Sequence, residues 1–433
     1  MYHKVPTEVA NQRLPKLAQL TEAATTLFPY ARILRTVEEA VENTVPPFIR
    51  PFLLMEGGPL YSLQKWLGLA KENAPRIKRR ASIAALLTFF PLLILSALQH
   101  RAFSHVDVPF VRDLSTYSRF LFAVPLLLLA ENILGPRIAT AAAHFIEAGL
   151  VTEKDYVRFA GFIDRGLRSR DSILAEVILA TLAYVLVIVG NKEMAIHAST
   201  WYITRTDAGT SFTWAGVWLF GFCAPLFQFL TYRWLYRLFL WFQFLHRVNK
   251  LDLQLFPTHP DEAGGLGFVG ETQRFFGIIL FALSIGTAGV LANSIVYDKV
   301  PLQNFTAAIG TYVVVAIIII VLPLIVFSGR LLRTKRIGLH QYGSLATAYT
   351  GLFQRKWIGH YNPENEPLLG SADIQSLADL GNSFSFIEKM KPLPIDVKTL
   401  LHLAVASLLP MVPLLLAVMP LKDLLKLIFK VLM

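Results

Sequence analysis

Six nearly uncharged apolar windows constrain this chain more than any other feature. They run from Ser82 to Gln99, Arg119 to Leu134, Ile173 to Gly190, Phe212 to Leu230, Phe275 to Tyr297 and Thr306 to Phe327. A helix needs roughly 20 apolar residues to cross about 30 Å of hydrocarbon. The expected fold is therefore an all-α integral membrane protein with six clear transmembrane helices. A seventh apolar run, Leu400 to Met419, is broken by Pro410 and Pro413, which remove donors and crowd the preceding turn. Either it spans with a kink, or it turns back as a proline-broken hairpin or interfacial segment; the charge rule below favours the latter. Charged residues are only 16% of the 433, against about a quarter in soluble domains, so the bilayer is the expected solvent.

Orientation follows from lysine and arginine, which stay on the cytoplasmic side of short loops. The loops after spans one, three and five hold five: Arg101, Arg112, Lys192, Arg205 and Lys299. The N-terminal region and the segments after spans two, four and six hold 32, so the N-terminus is expected inside. No apolar stretch precedes a small-residue cleavage site in the first 30 residues, and the N-terminus is expected to be retained. Lys422, Lys426 and Lys430 in the tail lie at helical spacing, suited to anionic headgroups if the tail stays inside.

Four regions follow. Residues 1–80 form a cytoplasmic or membrane-surface region in which Pro46 to Leu54 is expected to lie on the membrane as a short helix. The transmembrane core, 81–328, carries cytoplasmic helical loops at 135–172 and 233–274. The first loop breaks at Val151 and Thr152, with Thr152 as a cap. A polar cytoplasmic region, 329–397, has a loop around Asn362 to Pro367, and 398–433 holds the broken apolar run and its amphipathic tail.

Candidate sites each admit a structural reading and a functional one. His259, Asp261 and Glu262 sit beside Gly264, Gly265, Gly267 and Gly270 before span five. They are either a cation or proton site at a cytoplasmic mouth or a tight turn capping the next helix. Gly265 to Gly270 match G-x-G-x-x-G, yet a membrane span follows and no βαβ unit surrounds it. Ala282, Gly286, Gly289 and Asn293 form a small-residue stripe on span five, either lining a path or admitting a close helix, with Gly310 as a candidate partner. Ionisable groups near membrane depth are functional candidates by default, and here they are Arg119, Glu131 and Glu176. Glu131 and Glu176 fall near the cytoplasmic side, positioned to face each other, an arginine or an ion path. Arg233 and Arg237, one turn apart, are either aromatic-belt anchors or a contact for lipid phosphate or another anion. His144 and Glu147 are expected to be solvated or packed. Prolines 91, 125, 225 and 323 bend their spans, as gates and cavities often require.

The single cysteine, Cys223, excludes an intramolecular disulfide and any cysteine-based metal site. No catalytic, metal or cofactor motif is present, and no nucleic-acid module accounts for the net charge of +11, which lipid phosphates and topology explain. Leu253 to Phe268, with Pro-Thr-His-Pro-Asp and Gly-Gly-Leu-Gly-Phe, and Ala378 to Leu415, with Ala-Asp-Leu-Gly-Asn-Ser, resemble a group of bacterial membrane proteins with no assigned activity. The resemblance implies a bacterial inner membrane. The leading expectation is a homo-oligomeric channel or passive transporter contacting membrane lipids, with spans five and six near its path. The alternatives are a scaffold or sensor binding a cytoplasmic protein partner, and a lipid-modifying enzyme using His259, Asp261 and Glu262.

Overall fold

The computed structural model describes residues 45–69, 77–193, 200–206, 209–359 and 371–417. It is an all-α, multi-pass membrane architecture with seven helical runs long and apolar enough to cross a bilayer. In chain order the elements are α1 (Pro59–Trp66), α2 (Ile77–Leu98), α3 (Leu114–Glu147), α4 (Tyr156–Arg170) and α5 (Ile173–Glu193). The hairpin β1 (Ile203–Thr206) and β2 (Gly209–Phe212) follows, then α6 (Trp214–Val248), α7 (Gly267–Arg274), α8 (Gly277–Val296) and α9 (Thr306–Val321). Last come α10 (Ser328–Phe353), α11 (Ala372–Lys389) and α12 (Val397–Leu408). The strands pair antiparallel, Ile203 opposite Phe212 and Thr206 opposite Gly209.

Two of these helices are much longer than the bilayer is thick. At about 1.5 Å per residue, the 34 residues of α3 and 35 of α6 each rise about 50 Å, roughly 20 Å more than the hydrocarbon requires. Their C-terminal ends run on together beyond the length the hydrocarbon needs and build an aromatic core with α4. Phe145, Phe159, Trp241 and Phe244 meet there at ring separations of 5.6 to 6.4 Å, and Phe52, Phe268 and Phe327 join them from other segments. The break after α3 falls at Ala148 to Thr152. Thr152 occupies the cap position, but its hydroxyl makes no capping bond.

The prolines are absorbed locally. Proline lacks an N–H and its ring pushes on the carbonyl four residues earlier. Wide helical turns at Tyr117–Ala123 and Leu219–Cys223 directly precede Pro125 and Pro225. Two of the freed carbonyls find side-chain donors on neighbouring helices. Tyr184 donates to Gly221 O at 2.9 Å, and Trp218 Nε1 donates to Leu87 O, four residues before Pro91, at 3.3 Å. These bends tie helices together as much as they bend them.

The seventh run does not turn back. Past Pro410 and Pro413 it tightens into a 3-10 stretch, Leu409–Ala417, and keeps climbing beside α8. Gly277, at the start of α8, faces His402 and Ala406, while Ala288 farther up packs with Met411 and Leu414. Within the described residues the expected reversal at the prolines is corrected: Pro410 and Pro413 fit because the narrower helix carries them onward. The lysine-bearing tail lies outside the described residues.

Candidate functional site

The N-terminal segment is the largest departure from expectation. Residues 45–58 form no helix; the first part, with Pro47, Phe48, Arg50 and Pro51, stays exposed, and the chain then enters the bundle, where Phe52, Leu54 and Met55 are buried. Proline at 46, 47, 51 and 59 denies this stretch the backbone donors a helix needs. Phe52 stacks on Phe244 at 4.5 Å and lies so close to Gly166 of α4 that a Cβ there would sit 2.6 Å from its ring. Met55 rests over Gly135 of α3.

Irregular backbone buried in protein needs its polar groups satisfied, and charged side chains do this here. Glu131 of α3 sits at the centre, taking Arg80 Nη2 on Oε2 at 2.6 Å and both Arg233 Nη1 and Arg237 Nη1 on Oε1, at 2.7 and 2.8 Å. All four side chains are at most 4% exposed. The free ends of two arginines then grip the segment: Arg237 donates to Met55 O at 3.2 Å and Arg233 to Gly57 O at 3.3 Å. Glu176 of α5 lies 3.4 Å from Arg233 Nε and accepts the Leu60 amide at 2.7 Å. At the rim, Asp171 accepts the Gly58 amide, while Arg170 pairs with Asp171 and donates to Leu53 O at 2.6 Å.

Glycine is required at the pinch. A Cβ on Gly57 would lie 2.2 Å from Arg170 Nε, and Gly58 has φ +93°, with a Cβ position 2.6 Å from Glu176 Oε1. Three guanidinium groups against two carboxylates leave the cluster net positive. The segment's carbonyl dipoles offset that excess.

Arg233 and Arg237 therefore contact neither headgroups nor a belt surface, because Glu131 draws them inward between α3 and α6. Arg80 was not singled out in sequence, where it reads as the last of a basic topological cluster. Arg119, by contrast, has no hydrogen-bond partner among the described residues.

The turn before α7 is structural. Both oxygens of Asp261 are occupied, accepting the amides of Ala263, Gly265 and Gly267 at 2.8 to 3.2 Å, with His259 Nδ1 2.8 Å from Oδ1. Glu262 pairs with Lys391, whose ammonium also binds Asp396 at 2.6 Å. The Asp396 bond, then that to Glu262, raises the lysine above its ordinary value. The G-x-G-x-x-G glycines have steric causes: Gly265 adopts φ +96°, Gly267 sits against Asp261, and a Cβ on Gly270 would meet Pro394 O at 1.8 Å. Among the described residues no His, Cys, Asp and Glu group is arranged to hold a metal ion.

The small-residue stripe is a packing face. Ala282, Gly286 and Gly289 are buried, and a Cβ on Gly289 would fall 1.9 Å from Ser118 Oγ of α3. Asn293 bridges Asp113 Oδ1 at 2.6 Å and the Leu114 amide at 3.0 Å. Gly310 touches nothing within 4 Å of its Cβ position, so the close partner is the start of α3 and not span six. His144 lies 3.5 Å from Glu147 and edge-on to Phe268. No family model, curated protein or solved structure matches the chain.

Proposed function

We propose that the chain is a passive transport protein of a bacterial inner membrane, working as a homo-oligomer, with the 45–60 segment closing its cytoplasmic end. The observation that carries this reading is the non-helical segment held at one end of the apolar spans by Arg80, Arg233 and Arg237 around Glu131. Charge buried at the end of a transmembrane bundle is costly, and such groups are candidates for a solute path by default. Past Met55, the polar grip on the segment runs through backbone carbonyls and two amides, which water can replace if residues 56–60 open. The aliphatic face of α5, including Ile178, Val185 and Val189, is uncovered by the rest of the chain and available to a second copy or to lipid. Ion release from sealed liposomes, comparing wild type with a variant whose clamp is weakened, tests it.

A second reading, a scaffold or sensor with a cytoplasmic partner, has its own support. Helices α10 and α11 form an antiparallel hairpin, with Lys335 bonded to the 388 and 390 carbonyls and Tyr349 to Asp373 O. It leaves Leu345, Leu352, Ile358 and Ile374 exposed. The lipid-modifying alternative has little support, since Asp261 and Glu262 are committed to backbone amides and Lys391.

A further inference from the structure

A cavity of about 620 Å³ lies between α6, α8 and α9. Its wall is aliphatic and aromatic: Trp234 and Leu238 from α6, Leu280 and Leu283 from α8, Tyr312 and Ala316 from α9. Tyr312 is paired with Ser284 at 3.0 Å and Thr231 donates to Phe227 O at 3.0 Å, so the hydroxyls of both are satisfied within the protein. The shape follows from the helices. Helix α6 packs closely on the 3-10 turn Leu322–Phe327 at the cytoplasmic end, where Pro323 ends α9, and the two helices part above it. The result is a wedge, closed below and open along one side.

What faces the opening is hydrocarbon. The lining residues Leu235, Val315 and Ile319 are 44%, 47% and 38% exposed, and all three lie within membrane-crossing runs. The lining on α9 extends from Ala308 to Ile320, about 18 Å along the helix axis at ~1.5 Å per residue. Spread over that length, 620 Å³ of room for atom centres is a slot roughly 6 to 7 Å across, or about 9 Å between the surfaces of its walls. An α-helix about 10–12 Å across does not enter such a slot. A polymethylene chain does, since its carbons need neighbours only ~4 Å away.

From this geometry we propose that the wedge is a binding site for one acyl chain of a membrane phospholipid, seated lengthwise between α6 and α9. Trp234 makes the site more than bulk solvation. Its ring forms part of the wall, its Nε1 donates to Leu127 O of α3 at 3.0 Å, and the Arg237 guanidinium stands 5.3 Å from its centroid. The seated chain thus presses on the residue against which the arginine cluster leans.

The test uses quenching of tryptophan emission in vesicles of phosphatidylcholine brominated midway along its acyl chains. The contribution of Trp234 is the difference between wild type and Trp234→Phe. The expected result is strong quenching of that contribution, reduced several-fold in Ala316→Phe and in Thr311→Phe, which fill the wedge from its wall and from its exposed rim. Near-ultraviolet circular dichroism checks that each variant is folded, and the rim variant carries the test if the wall variant is not. Quenching that both filled variants retain means lipid only surrounds the protein, and overturns the proposal. So does unquenched Trp234 beside quenched Trp214 and Trp218. Quenching that rises steeply as the protein is diluted in lipid assigns the wedge to a second copy and also overturns it.

Discussion

Replacing Glu131 with glutamine is the sharpest perturbation of the clamp, because it removes the one charge shared by three buried guanidinium groups and barely changes volume. Breaking a buried ion pair from one side costs about 3–5 kcal/mol, and glutamine, which keeps one acceptor oxygen, belongs at about 3. Not all of this falls on the 45–60 segment. Without their anion, Arg233 and Arg237 swing toward water or lipid phosphate and release Gly57 O and Met55 O. If half or more of the cost appears as opening of the segment, at about 1.4 kcal/mol per factor of ten, its open population rises roughly tenfold to a hundredfold. Amide hydrogen exchange read by mass spectrometry resolves this, since Gly58 and Leu60 donate into Asp171 and Glu176. Their exchange should accelerate by at least tenfold while α8 stays as protected as before. Exchange of the 53–60 peptide within twofold of wild type would refute the claim that this cluster holds the segment.

Other substitutions follow from distances. Gly289→Ala should lower the thermal unfolding temperature in detergent, since its Cβ meets Ser118 and Leu114 O and overpacking costs about 1–3 kcal/mol; Gly310→Ala, with open space around it, should leave that temperature unchanged. Asp261→Ala strips three amides of their acceptor and should destabilise by roughly 1–3 kcal/mol. His259→Ala, at a half-exposed ring, should cost less than half as much, whereas equal losses would point to a joint ligand site. Gly270→Ala should collapse expression or sharply lower thermal stability, because the obstruction at Pro394 is backbone and not a movable side chain.

The spans were legible because hydrophobicity over some 20 residues is a local property. Even the run broken by Pro410 and Pro413 was visible as apolar, and only its path depended on α8, a partner far away in sequence. The same distance hid the site. Glu131 and Glu176 stood out as ionisable groups at membrane depth and Arg233 and Arg237 as a pair, but nothing in spacing shows that Arg80, 51 residues before Glu131, completes the set. Pro46 to Leu54 is short, apolar and proline-bounded, a pattern shared by surface segments and buried irregular ones. What separates the two is the supply of donors for its carbonyls, from Arg170, Arg233 and Arg237 on other helices.

Release of sodium, potassium and chloride from sealed liposomes, for wild type and for Glu176→Ala, tests the central claim most directly. The alanine removes the acceptor of the Leu60 amide and a partner of Arg233 at the edge of the clamp, leaving Glu131 and its three arginines in place. Low flux in the wild type and at least a tenfold rise in the folded variant is the predicted result. Equal, background-level flux of every ion in both would contradict it and leave the α10–α11 hairpin as the place to look for function.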